Sequence, residues 1–118
     1  MAGAFALALV LPLLLAACER DDPALAAVKK DPARLRGQSG AEIAALLGPP
    51  GFRRKDGAAR IWQYEGKRCR LDLFLYEEER FGRKRLAVAH FEFHNRGDAA
   101  ITSAACLDEI AGKRGGED

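Results

Sequence analysis

The sequence predicts an α+β domain of two layers, a three-stranded antiparallel meander with helices packed on one of its faces and one disulfide joining the layers. Three observations carry this expectation. Arg68–Tyr76 (RCRLDLFLY) alternates, so the two-residue period of a strand sets Cys69, Leu71, Leu73 and Leu75 on one face and Arg70, Asp72, Phe74 and Tyr76 on the other. Apolar residues recur at helical spacing on both sides of the strand region, from Ser39 to Leu47 and from Ala99 to Ala111. Cys69 lies on the predicted central strand and Cys106 near the end of the last helical pattern, where a bridge would pin that helix across the sheet.

With 118 residues, of which 48% are hydrophobic and 31% charged, the chain has room for one modest core. A net charge of +2 is too small a bias to specify nucleic acid, which demands clustered and unpaired Lys and Arg. No nucleic-acid partner is predicted. Basic residues crowd between Arg53 and Arg85, but acids interleave with them, so a solvated and partly paired surface is expected there.

Residues 4–17 are apolar throughout. At about fourteen residues the run falls short of the roughly twenty that span a bilayer, and it suits the hydrophobic part of a signal peptide. It ends in Leu15-Ala16-Ala17-Cys18, which resembles the bacterial lipobox. Small residues fit the signal-peptidase cleft beside the membrane, and the thiol accepts a diacylglyceryl unit by thioether formation. The resemblance implies cleavage before Cys18 and acylation of its new amino group, as with palmitate. Several chains anchor lastingly, since each buried methylene contributes about 0.8 kcal/mol. No cofactor is predicted beyond these covalent diacylglycerol and N-acyl chains. Residues 1–17 contain no Lys or Arg, so the positive segment of the signal is expected upstream of Met1. Glu19 stands where an inner-membrane retention signal would have Asp, which favours the outer membrane and its periplasmic side. The predicted layout is a signal peptide over 1–17, a lipidated cysteine and polar tether over 18–36, a folded domain over 37–112 and a flexible tail over 113–118.

Within the tether, Asp22-Pro23 predicts an N-cap and first helical position for a short helix to about Lys30, and Asp31-Pro32 a single turn through Leu35. Ser39 and Glu42 form a capping box ahead of Ile43, Leu46 and Leu47, and Gly48-Pro49-Pro50-Gly51 ends that helix. A charged loop over 51–59 leads to a first strand at Arg60–Glu65. Gly66-Lys67 predicts a type II′ turn that pairs Glu65 with Arg68, Tyr64 with Cys69 and Trp62 with Leu71, bringing both aromatics to the core face.

The next hairpin carries a parity problem. A two-residue loop at Phe81-Gly82 would oppose Leu73 to His90 and Leu71 to Glu92, core against charge. A three-residue loop, Arg80-Phe81-Gly82, corrects this and opposes Leu75 to Ala87, Leu73 to Ala89, Leu71 to Phe91 and Cys69 to Phe93. It also opposes Glu77, Glu78 and Glu79 to Arg85, Lys84 and Arg83, an account of the two charge runs that needs no ligand. Asp98 is the predicted cap of a last helix over Ala99–Ala111, with Ile101, Ala105 and Ile110 as its apolar stripe.

His90, Glu92 and His94 have the residue types of a metal set. Side chains four apart on a strand stand about 13 Å apart, so one zinc cannot take both histidines, and no metal site is predicted. The expected register instead sets Asp72 opposite His90 and Arg70 opposite Glu92 as a polar surface network. Cys69 and Cys106 lack redox spacing, and a structural bridge between them is expected to contribute roughly 3 to 4 kcal/mol by chain entropy. No nucleophile elbow, phosphate loop or carboxylate dyad occurs, so the chain is not expected to be an enzyme. Phe74, Tyr76, Leu86 and Val88 are expected to cluster on the outer face as a partner-binding patch.

The lipobox, the helix ending in Leu46-Leu47-Gly48-Pro49, and the Trp62-Gln63-Tyr64 strand leading into Leu71-Asp72-Leu73-Phe74-Leu75 together resemble the SmpA/OmlA lipoprotein domain. This is the fold of the BamE-type subunit of the β-barrel assembly machinery, and the resemblance covers about Leu35 to Phe93. It implies helices on one face of a three-stranded antiparallel sheet. It also implies a non-enzymatic, periplasm-facing outer-membrane lipoprotein, held to the membrane by its lipid, that supports envelope assembly through an envelope protein partner. The cysteine-bearing last helix departs from the family pattern. The helix-on-sheet fold also resembles secreted β-lactamase inhibitory proteins, which implies an inhibitor of a periplasmic enzyme as the alternative. A small-ligand or metal binder is the third reading, resting on Asp72, His90 and Glu92.

Overall fold

The computed structural model describes Gly3 and residues 22–115, with side chains to residue 113, so the expected signal peptide and Cys18 lie outside the described residues. Helix α1 spans Pro23–Lys30. Its cap forms because the Asp22 carboxylate accepts the Ala24 N–H at 2.9 Å and Pro23 brings a preset φ to the first turn. Asp31 repeats the device for a 3₁₀ turn over Pro32–Leu35, accepting from Ala33 N–H at 3.2 Å. Both elements belong to the core, with Val28 1% and Leu35 0% exposed. The folded unit therefore includes α1 and the turn, where a polar tether to residue 36 is expected; one buried residue per element is too sparse a pattern to show in sequence.

Helix α2, Gly40–Leu47, carries the predicted capping box: Ser39 Oγ accepts the Glu42 N–H at 3.1 Å and Glu42 Oε1 accepts the Ser39 N–H at 2.8 Å. It stops at Gly48, whose φ of 82° suits glycine, and the Gly48 carbonyl accepts the buried Tyr64 hydroxyl at 2.8 Å. Burial pushes that hydroxyl's pKa above the usual tyrosine range.

The sheet has four antiparallel strands in sequence order, β1 Phe52–Asp56, β2 Ala59–Glu65, β3 Cys69–Arg80 and β4 Arg83–Asn95. The expected charged loop contains β1, an edge strand whose exposed, mostly charged residues show no alternation. Such charges protect an edge from pairing with another chain. The two-residue turn after it takes its positive φ from Gly57, at 60°. The opposite edge is covered in part by the chain before α2: Gly37 N–H donates to Val88 C=O at 2.8 Å and Val88 N–H to Gln38 C=O at 2.9 Å.

Both predicted hairpin registers are corrected. Glu65 pairs with Arg70, Tyr64 with Leu71 and Trp62 with Leu73, two residues beyond the expected register with parity kept. Gly66 does not take positive φ. A Cβ there would lie 2.8 Å from both Cys69 Sγ and Glu109 Oε1, so close approach and not turn type requires glycine. The second hairpin turns on two residues, Phe81 and Gly82, with φ of 52° and 74°, the two positive values of a type I′ turn. Arg80 faces Arg83, Glu79 faces Lys84, Glu78 faces Arg85 and Leu75 faces Val88; the register then slips, and Phe74 faces His90 and Leu73 faces Phe91. Ala89 is the extra residue, a β-bulge that restores parity where a longer turn is expected. With the bulge inside the strand, Leu86 and Val88 share the core side with Leu75 and Glu77, while the longer turn would have spent two alanines there.

The core lies between the helices and this face of the sheet, with Ile43, Leu71, Leu73, Leu75 and Leu107 fully buried. Helix α3, Ser103–Gly115, starts later than expected and is capped by Thr102, whose Oγ1 accepts the Ala105 N–H at 3.0 Å, and not by Asp98. The later start lets Cys106, Leu107 and Ile110 face the core together. The helix runs through the stretch expected to be a tail, and Lys113 Nζ donates to Glu65 C=O at 2.8 Å. The Cys69–Cys106 disulfide joins β3 to α3 with a Cα separation of 5.7 Å. Beside it Glu109 accepts the Arg68 N–H at 2.9 Å and Arg68 Nε at 2.6 Å. α3 thus clamps the β2–β3 turn.

Replacing Cys69 and Cys106 together by alanine is expected to lower unfolding free energy by about 3–4 kcal/mol, since the bridge closes a long loop; urea unfolding of both forms measures this. Phe81 is 96% exposed and its ring meets the Arg80 guanidinium only at 5.9 Å, so Phe81→Asn, better suited to positive φ, is expected to raise the urea midpoint, with a gain of about 1 kcal/mol and an unchanged slope.

Candidate functional site

The helices cover one face of the sheet. On the other, the bulge at Ala89 aligns His90, Glu92 and His94 of β4 opposite Phe74, Asp72 and Arg70 of β3. These side chains make one continuous polar row. Arg70 grips Asp72 with two hydrogen bonds, Nε to Oδ1 at 3.0 Å and Nη2 to Oδ2 at 3.2 Å. His94 Nε2 lies 3.3 Å from Asp72 Oδ2 and 3.3 Å from Glu92 Oε1. His90 Nε2 reaches the other Glu92 oxygen, Oε2, at 3.0 Å. Both histidines therefore meet one carboxylate from opposite sides.

The four residues predicted as a network, Arg70, Asp72, His90 and Glu92, are all on this face, but their partners differ from those expected. Asp72 faces Glu92 and Arg70 faces His94, because the parity correction comes from a bulge within the strand. His94 is the member that sequence reasoning left out of the network. Its signal was the alternation His90-Glu92-His94, and only the register gives it Asp72. Asp72 has a side chain only 8% exposed, whereas Glu92 is 46% exposed. The hydrogen bond from His90, followed by the charge of the nearby histidine rings, holds the Glu92 carboxyl below its ordinary pKa of 4.5.

The expected apolar patch is divided. Phe74 and Tyr76 remain on the outer face, Phe74 with its ring centroid 5.4 Å from that of His90 and Tyr76 43% exposed. Val88 is 3% exposed in the core and Leu86 packs against the core, so neither belongs to the patch. The register brings Phe52, 53% exposed, to the outer face through its pairing with Gln63, which itself pairs with Asp72. The surface is thus a charged row edged by aromatics.

Arg53, Lys55 and Arg60 line a groove with Trp62 and Leu86 at the end of the core face, where the Arg53 guanidinium lies 4.9 Å from the Trp62 ring centroid. Among the described residues, Arg54, Lys55 and Arg60 have no carboxylate within 4.0 Å, so the expected pairing of this basic stretch is incomplete. A cross-strand ion pair forms at Arg85, with Glu78 in place of the expected Glu77: Arg85 Nε meets Glu78 Oε2 at 2.7 Å while Nη2 donates to Gly37 C=O at 2.7 Å. Among the described residues no helix is long and apolar enough to cross a membrane. Comparison of the chain with known protein families, with curated proteins and with solved structures finds no match in any of the three.

The Arg68 clamp makes one part of stability depend on pH. The backbone N–H and then the guanidinium of Arg68 hold the Glu109 carboxyl below 4.5, so its contribution is complete above that value and is lost as pH falls through the depressed one. Glu109→Gln is expected to lower stability at pH 7 and to flatten the further loss on acidification below pH 4.5, as read from unfolding curves at a series of pH values.

Proposed function

We propose that this chain is a lipid-anchored protein of the SmpA/OmlA, BamE-like kind that works without catalysis at the periplasmic side of the outer membrane, supporting envelope assembly by holding an envelope protein against the outer face of its sheet. The observation that carries the reading is the Cys69–Cys106 bridge, which joins the two layers of a small domain and suits an exported chain in an oxidising compartment. The lipobox-like run ending at Cys18 supports the same address. The helices occupy one face of the sheet and leave Arg70, Asp72, Phe74, Tyr76, His90 and Glu92 on the other.

The start of α1 favours a membrane protein as that partner. Residues 19–22 alone separate Cys18 from Pro23, and at full extension that interval reaches no more than about 18 Å. A lipid on Cys18 therefore keeps the domain near the membrane surface, where the membrane-proximal parts of integral proteins are. A soluble periplasmic enzyme, the partner of the inhibitor reading, gains nothing from that confinement.

Labelled palmitate is expected to enter the wild-type chain and not Cys18→Ala, which should move to the soluble fraction. A photoreactive residue at Tyr76 is expected to crosslink in intact cells to an outer-membrane assembly protein, and insertion of a flexible segment of about fifteen residues after Cys18 to weaken that adduct by lowering the effective concentration. Adducts with a soluble enzyme alone would overturn the scaffold reading in favour of inhibition.

A further inference from the structure

The arrangement around His94 goes beyond scaffolding. Its Nε2 atom is buried and makes no well-aligned hydrogen bond, although two carboxylate oxygens lie 3.3 Å away. The separations allow pairing but the directions do not, so the nitrogen faces two anionic oxygens with nothing aligned between them. A metal cation would meet that nitrogen, and the donor distances suit one. A tetrahedral zinc with bonds of about 2.0–2.1 Å sets neighbouring donor atoms about 3.3–3.4 Å apart. Both His94 edges have that length, and the ligand atoms of Asp72, Glu92 and His94 all lie within 4.8 Å of one another.

We infer that Asp72, Glu92 and His94 form a binding site for a divalent transition-metal ion of the zinc type, spread across β3 and β4. One imidazole and two carboxylates are borderline donors that suit zinc. The third edge, Asp72 to Glu92, is at most 4.8 Å, and metal binding is expected to shorten it through the half-exposed Glu92 side chain. Arg70 supplies the outer shell: its two hydrogen bonds fix the plane of Asp72, and its charge offsets one of the two carboxylates. The fourth coordination position is left for water or for a donor from a partner. His90 is not a ligand, because its Nε2 is engaged by the Glu92 oxygen that points away from His94.

Zinc titration of the purified full chain in detergent, without a histidine tag and against a chromophoric chelator, tests this. One equivalent is expected to bind at micromolar or lower concentration, and cobalt in its place to give the strong visible bands of a tetrahedral site. Glu92→Gln and His94→Gln are each expected to weaken zinc binding by more than about a hundredfold, beyond the 10–100-fold typical of outer-shell losses, and His90→Gln by less than about tenfold. Glu92 is half-exposed, so its variant keeps the fold, which circular dichroism checks. Failure to bind zinc at 0.1 mM on the order of a weak-ligand screen, binding unchanged in Glu92→Gln and His94→Gln, or a larger loss in His90→Gln would each overturn the assignment.

Discussion

One residue, Ala89, decides what each face of this sheet carries. A strand presents its side chains with a period of two, so a tight turn at Phe81-Gly82 fixes the faces of β4 from its first residue. Without an extra residue, the side that takes Leu86 and Val88 inward would also take His90, Glu92 and His94. The bulge separates the two halves of the strand. Before it, even-numbered residues face the core; after it, Phe91 and Phe93 do, and the ionisable residues face away. Core and candidate site thus follow from a single insertion in the ladder.

The far end of the sheet is held differently. Among the described residues the helical and turn elements lie on one face, so α3 must be fixed to the strands from that side alone. The disulfide ties α3 to β3, and Glu109 reaches past it to the Arg68 amide and guanidinium. Gly66 has no side chain because the space it would occupy holds Cys69 Sγ and Glu109 Oε1. Arg96 completes the closure by donating to Gly66 C=O at 2.7 Å. The covalent bond and the polar clamp share one small volume, which leaves the outer face of the strands to a different task.

Much of this was legible in the sequence, because local chemistry and tertiary structure agree there. The Asp-Pro pairs, the Ser39 and Glu42 capping box, the alternation of Cys69 to Leu75 and the cysteine pairing all specify their own outcome. The registers were not legible to the same degree. The parity conflict at His90 and Glu92 shows that a correction is needed, but a longer turn and an internal bulge correct it equally well, and Ala87 and Ala89 fit either face. The choice falls to Leu86 and Val88, whose burial is a tertiary gain. β1 was hidden because an edge strand rich in charge has no periodic signal. Asp98 follows the Asn95-Arg96-Gly97 turn and reads locally as a cap, whereas the position of Cys106 and Leu107 against the core sets the start of α3 at Ser103. His94 entered the site only through the register.

Core and candidate site both depend on the β3–β4 pairing, which cross-strand proton contacts measured by nuclear magnetic resonance on the labelled domain within the full chain test most directly. The bulge predicts backbone contacts of Leu73 with Phe91 and of Leu75 with Val88, with Ala89 unpaired between them. A contact of Leu73 with Ala89 and of Leu75 with Ala87 would instead place Leu86 and Val88 outside and contradict both the core and the site described for this chain.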